Sequence, residues 1–313
     1  MNVNQVIFGE LMKSGYSIRG KNKIWNLSDP KILYITPQLA DGFLKLSSFK
    51  PYKEKVYDVE LKLLKDNAVK ILESTKRKDL NLIDLGCADG RKAMEFIAAL
   101  NGKGNIRYCP VDISSFFINK SLNNIKSKNF KNVKDYAPSV SDFENFGNIL
   151  GLYRNDSYQK NLILLLGSTL ANFEINDFLF RLSNGMFEGD FIVIGNGIRN
   201  NGPRFVSLET YKHKMFDDWF FEAMRALGFK KNEVEYDARF TNSRVECFYK
   251  INVDKKISSL ENELEFKKGD EIVIAVLYKY FEEELFKFTK RYFRTVEIVK
   301  DSEGGYALLI CKK

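Results

Sequence analysis

Short apolar runs alternate with amphipathic stretches from Asn81 to Gly195. Asn81–Gly86 (NLIDLG) is apolar apart from its ends and Asp84, and predicts a buried strand. Arg91–Leu100 (RKAMEFIAAL) spaces its apolar residues as one face of a helix. The pattern repeats along the chain. Ile106–Val111 (IRYCPV) predicts a second strand, with a helix over Ser115–Ile125. Val133–Val140 predicts a weaker third strand. Leu162–Gly167 predicts a fourth, with a helix over Asn176–Leu182, and Phe191–Gly195 a fifth. Strands separated by helices predict right-handed crossovers and a parallel sheet covered on both faces, the doubly wound α/β class.

The alternation stops after Gly197. Asn200-Asn201-Gly202-Pro203 predicts a loop, and Leu208–Leu227 one long helix ending at Gly228. Glu233–Phe240, Arg244–Val253 and Glu271–Tyr280 predict an antiparallel meander. A helix over Glu282–Arg291 and two strands, Thr295–Lys300 and Tyr306–Cys311, are expected to rejoin the sheet as a hairpin across Asp301–Gly305. Residues before Asn81 read as helix and loop. The expected organisation is an N-terminal helical cap (1–60), a Rossmann-like core (61–199), an inserted α+β lobe (200–280), and a closing helix and hairpin (281–313).

The 313 residues are 44% hydrophobic and 29% charged, the balance of a folded domain with a sizeable core. The 26 Phe and 15 Tyr fill that core and also supply walls for an aromatic-lined pocket. The formal charge of +8 arises from Lys spread among Glu and Asp, so no nucleic-acid-binding module is expected. The N-terminus lacks a signal-peptide apolar core, and the longest apolar run, Leu162–Leu166, is too short for a bilayer. Cys87, Cys109, Cys247 and Cys311 show no CxxC spacing, and His213 is the single histidine. A cytoplasmic protein with free thiols and no metal site is expected, and a Ser-His-Asp hydrolase is disfavoured.

The sharpest local feature is Asp84-Leu85-Gly86-Cys87-Ala88-Asp89-Gly90-Arg91-Lys92, after a strand and opening a helix. Glycines suit a tight turn and close ligand approach, and the helix N-terminus offers unpaired N–H groups. The spacing is G-x-x-x-G, not the G-x-G-x-x-G of pyrophosphate sites. Flanking carboxylates at Asp84 and Asp89 would repel a pyrophosphate and suit S-adenosylmethionine, with its sulfonium, ammonium and ribose hydroxyls. A plain strand-to-helix turn is the competing reading. Asp112 ends the second strand, where an acid can accept from both ribose hydroxyls or cap the helix near Ser114; both roles are compatible. Asp142-Phe143, after the third strand, offers a partner for the adenine amine and a ring to cover it.

These segments resemble the histidine-specific methyltransferase family of ergothioneine biosynthesis, whose members trimethylate the α-amine of histidine. The likeness runs from about Pro30 to the C-terminus through LIDLGCADGRK, CPVDIS, SDFE, LLLGSTLANF and VEIVKDSEGGYALLI, with Ala171 replacing a family glycine. It implies a class I methyltransferase that uses S-adenosylmethionine. Gly86, Lys92, Asp112, Asp142 and Phe143 fall on its cofactor-contacting positions. Asn172 falls on the asparagine that holds the acceptor's amine or carboxylate, and Tyr211 on a tyrosine that binds the carboxylate; ordinary helix packing stands beside that role for Tyr211. Tyr34 and Tyr52 resemble two N-terminal active-site tyrosines, Tyr34 on the cofactor side and Tyr52 on the catalytic side; a plain structural place in the cap stands beside both roles.

One departure changes the expected acceptor. The family grips the imidazole with a glutamate and a serine, four and two positions before a lysine that aligns with Lys279. Ala275 and Leu277 stand there instead, and neither side chain donates or accepts. Cys247 replaces a methionine lining the same pocket. Polar grips of this kind discriminate by ~10⁴ or more, so their loss implies an acceptor other than histidine. The expected activity is N-methylation of a small amine or amino-acid-like acceptor carrying an apolar or aromatic group. A protein, peptide or RNA methyltransferase and a cofactor-binding protein without turnover remain as alternatives. A nicotinamide-dependent dehydrogenase fits the fold alone.

Overall fold

The computed structural model describes residues 3–76, 79–154, 157–200, 207–259 and 261–313. The chain divides into two compact units, Lys50–Phe205 with Lys279–Lys313, and Met1–Phe49 with Val206–Tyr278.

The first unit is built on seven main strands. They are β1 (Asp79–Leu85), β2 (Asn105–Asp112), β3 (Val133–Tyr136), β4 (Asn161–Leu165), β5 (Phe191–Gly197), β6 (Thr295–Lys300) and β7 (Tyr306–Lys312). Their spatial order is β6-β7-β5-β4-β1-β2-β3. Strands β1 to β5 pair in parallel, and β7 lies antiparallel to both β5 and β6. A two-residue strand, Ser139–Val140, continues past β3 against Val111 and Asp112. Every residue of β4 and all but the first of β1 are buried, which is why both read as apolar runs.

A buried polar network staples the amino ends of the central strands. Arg107 Nε donates to Asn81 Oδ1 (2.8 Å), Asn81 Nδ2 to Asn161 Oδ1 (2.9 Å), and Asn161 Nδ2 to Asp190 Oδ2 (3.0 Å). That end is fixed for stability. The carboxyl ends, where open α/β sheets bind ligands, carry the loops of interest.

The second unit holds a five-stranded sheet in the order Tyr16–Arg19, Asn22–Asn26, Glu271–Tyr278, Arg244–Ile251, Val234–Thr241. Its last three strands form the expected antiparallel set. Three features correct the sequence reading. The N-terminal segment is not only helix and loop: Tyr16–Arg19 and Asn22–Asn26 form a hairpin whose second strand runs parallel to Glu271–Tyr278. Its first strand is exposed throughout, so it shows no apolar alternation. A further hairpin, Lys255–Ser259 with Asn262–Phe266, separates two strands of the meander. The expected long helix is broken into Leu208–Tyr211 and Lys214–Ala226. At the break His213 is extended (φ −65°, ψ 144°), and its Nδ1 accepts the Met215 N–H. Of the expected loop at 200–203, all but Asn200 lies outside the described residues. Among the described residues, no helix is long and apolar enough to cross a membrane.

Candidate functional site

The loop after β1 turns through left-handed backbone at Gly86 (φ 75°), Ala88 (φ 46°) and Gly90 (φ 72°). The N–H groups of Gly86 and Cys87 both donate to Val111 O, tying this loop to the end of β2. A Cβ at Gly86 would stand 3.3 Å from the Phe143 ring and 3.9 Å from Thr169 Oγ1. Three loops, following β1, β3 and β4, therefore converge at a left-handed backbone position that favours glycine. Ala88 adopts left-handed backbone without being glycine, a strained geometry typical of functional turns.

Asp112 joins two of these loops. Its Oδ2 accepts the Ala88 N–H (3.2 Å) and its Oδ1 the Ser114 N–H (3.0 Å). Burial pushes its carboxyl up to about 6, against the pull of those hydrogen bonds. Ser114, not Asp112, is the N-cap of the following helix, Ser115–Lys126, so Asp112 holds the turn before it. Asp84 and Asp89 correct the idea of two bare carboxylates facing the ligand. Asp84 is buried and accepts from Tyr108 Oη (2.8 Å), and burial pushes it up to about 7. Asp89 is ion-paired with Arg91 and accepts the Arg91 N–H. Both acids shape the turn.

Lys92, in the first turn of helix Arg91–Ala99, pairs through Nζ with Glu60 of helix Asp58–Ser74. Glu60 is fully buried. Its Oε1 also accepts the Gly167 N–H (2.7 Å) and the Tyr306 O–H (2.7 Å). Tyr306 Oη in turn lies 3.4 Å from Ser168 Oγ, which accepts the Gly197 N–H. Tyr57 places its ring beneath Lys92 (5.3 Å) and Arg91 (5.7 Å), and burial pushes its phenol up to about 12. Tyr57 ends a π-helical turn, Lys53–Tyr57, that directly follows half-buried Tyr52; such turns gather at functional sites. Sequence reasoning passed over Glu60, Tyr57 and Tyr306. Glu60 left a signal: it occupies the buried stripe of its helix with Leu64, Ala68 and Ile71. A charged residue on an apolar stripe is the informative kind of burial.

After β4, Ser168 is left-handed (φ 59°) and caps a 3₁₀ turn, Thr169–Asn172, which leaves Asn172 half-buried. Phe173 stacks on Phe178 (4.4 Å) and meets Phe143 edge-on (5.7 Å). The Ser141 N–H donates to Asp112 O and the Asn145 N–H to Asp142 O, which holds half-buried Asp142 and Phe143 beside the end of β2. Gly86, Lys92, Asp112, Asp142, Phe143, Asn172 and Tyr52 thus share one unit, the first six at or after the carboxyl ends of its strands.

The remaining candidates belong to the other unit. Cys247 and Ala275 are cross-strand partners and Leu277 pairs with Val245, so the three share one sheet face. Tyr236 and Tyr249 are also cross-strand partners, and burial raises both phenols. Tyr236 Oη donates to the carbonyl of Tyr211 (2.7 Å). Tyr211 is buried in the short helix before the His213 break, and burial raises its phenol. Tyr34 packs edge-on against Phe43 (5.5 Å) and near Trp219 (5.8 Å), whose Nε1 donates to Leu39 O.

Five parallel strands extended by antiparallel β7, with β6 beyond it, form the sheet of a Rossmann-like class I methyltransferase that uses S-adenosylmethionine. The model of the family described as histidine-specific methyltransferase, SAM-dependent, matches residues 52–313, and the chain belongs to that family. No curated protein sequence matches the chain. Among solved structures, it is similar to a S-adenosylmethionine-dependent methyltransferase from Clostridium acetobutylicum (14% identity, 82% of this chain, 93% of that one, TM-score 0.46). It is also similar to CalS10, an amino pentose methyltransferase from Micromonospora echinaspora (10% identity, 80% and 90%, TM-score 0.38).

Proposed function

We propose that the protein methylates the amine of a small, amino-acid-like acceptor whose side chain is apolar or aromatic. When bound, the cofactor supplies an electrophilic methyl group carried on a sulfonium. The chain's own residues do the rest. The Asp112 carboxylate would accept the ribose hydroxyls, and Lys92 would meet the cofactor's carboxylate. Phe143 would cover the adenine and Asp142 would accept from its amine. Asn172 would orient the acceptor, with Tyr52 on the catalytic side; the resemblance assigns Tyr211 to the acceptor's carboxylate and Tyr34 to the cofactor. Holding donor and acceptor in line is worth up to ~7–11 kcal/mol. The acceptor amine must present a lone pair, so it reacts as the free base. Successive transfers would yield a quaternary ammonium, which phenol rings attract.

The observation that carries the choice of acceptor is the apolar set Cys247, Ala275 and Leu277 on one sheet face, with Ala275 and Leu277 at the positions where the resemblance places the imidazole grip. The purified protein, incubated with radiolabelled S-adenosylmethionine and a panel of free amino acids, is expected to label an aromatic or aliphatic amino acid in preference to histidine. Preferred labelling of histidine would overturn this choice. Labelling confined to peptide or RNA would replace it with a macromolecular acceptor.

A further inference from the structure

Glu60 has no exposed surface, yet it carries a carboxylate. A buried ion pair is seldom the most stable filling for a core, and an apolar side chain of similar volume often does as well or better. The surroundings are nonetheless built around this carboxylate. Lys92 pairs with one oxygen, while the Gly167 N–H and the Tyr306 hydroxyl donate to the other. Strand β5 makes room with Gly195, where a Cβ would overlap the carboxylate. Five separate segments of one unit therefore meet at this group. One carries the lysine assigned to the cofactor, and another opens the Gly167–Asn172 segment assigned to the acceptor.

We propose that Glu60 is a positioning residue that sets Lys92 and the Gly167–Asn172 segment from a single carboxylate, so that the cofactor and acceptor ends of the site are placed relative to one another. The proposal rests on Lys92 serving the cofactor. A lysine side chain is long and rotatable, and an ammonium anchored at one fixed oxygen loses less freedom when a second carboxylate reaches it.

The test is a double-mutant cycle read by calorimetry with S-adenosylhomocysteine, which needs no known acceptor. Glu60→Gln keeps an oxygen for Gly167 and Tyr306 and removes only the charge that anchors Lys92. It is expected to weaken binding at least threefold in the wild-type background and less than 1.5-fold when Lys92 is already Met. Glu60→Ala, which also removes the acceptor oxygens, is expected to weaken binding more than tenfold, with Gln restoring most of the loss. Equal effects of Glu60→Gln in the two backgrounds, or tighter binding, would overturn the proposal. If Glu60→Gln fails to fold, Tyr306→Phe replaces it in the cycle: at least twofold coupling to Lys92→Met supports the role, and additivity overturns it. A wild-type protein that binds no S-adenosylhomocysteine would instead overturn the assignment of Lys92 to the cofactor, and the proposal with it.

Discussion

Asp112 Oδ2 accepts the backbone N–H of Ala88 at 3.2 Å, so the acid that ends β2 also fixes the left-handed turn that follows β1. Two loops usually described separately are one hydrogen-bonded object. The ligand that Asp112 would hold is thereby coupled to the geometry of the glycine turn.

Its ionisation follows from the same contacts. Burial raises the Asp112 carboxyl from 3.8 to about 6, so the ligand-free protein keeps it protonated below that pH. Folding stability from this group is complete below pH ~4 and is lost as pH rises through about 6. Ribose hydroxyls donate to the carboxylate and favour the ionised form, so ligand affinity moves the opposite way. The dissociation constant for S-adenosylhomocysteine is expected to rise up to about tenfold between pH 7 and pH 5, as one linked proton requires. Asp112→Asn should bind weakly with no such slope. A flat profile in the wild-type protein, measured by calorimetry across that window, would remove Asp112 from the binding site.

Asp84 allows a prediction of stability without any ligand. Its carboxyl is raised from 3.8 to about 7 by burial, with the Tyr108 hydroxyl and Lys92 opposing. The unfolded chain ionises first as pH rises, so this group costs stability progressively between pH ~4 and about 7, by a few kcal/mol in total. Asp84→Asn keeps an acceptor for Tyr108 and removes the charge. Melting curves should show the variant gaining on wild type as pH rises from 4 to 7, with the difference constant above 8. A difference that does not change with pH would mean that the folded carboxyl titrates where the unfolded one does, unraised by burial.

How far the sequence reached depends on burial. Strands β1 and β4 are buried on both faces, and so stand out as apolar runs. The hairpin Tyr16–Asn26 does not: its first strand is solvent-exposed and its second only five residues long. The break at His213 was equally hidden, because an imidazole caps the helix where Ser, Thr, Asp or Asn would have flagged it. The positions of Asp112, at the end of a strand, and of Phe143, after one, were legible from the strand pattern. The internal engagement of Asp84 and Asp89 was not, since it depends on Tyr108 and Arg91 folding onto them.

Gly195 leaves no room for a side chain. A methyl group there would overlap the Glu60 carboxylate and lie 3.2 Å from Tyr306 Oη. Gly195→Ala must push Glu60 off its partners or part the strand from helix Asp58–Ser74. Overpacking of this kind costs ~1–3 kcal/mol, so the melting temperature should fall by several degrees. Shortening Glu60 to Asp in the same protein should recover part of the loss. Additive losses in the double variant would place the strain elsewhere.

The acceptor choice can be tested by rebuilding what the resemblance says is missing. Ala275 and Leu277 lie on one face of the strand Glu271–Tyr278, with Cys247 directly across from Ala275. Ala275→Glu with Leu277→Ser restores a carboxylate and a hydroxyl at the family's spacing. Ala275 is buried, so the new glutamate is costly unless a polar group meets it. An imidazole would supply that partner, and a hydrophobic side chain would not. The double variant should therefore gain transfer to histidine by at least tenfold over wild type and lose transfer to the acceptor that wild type prefers. Added histidine should also raise its melting temperature, through the binding energy of the occupied site. If histidine neither reacts faster nor stabilises a folded double variant, these two positions do not face the acceptor side chain, and its chemistry must be set elsewhere in the chain.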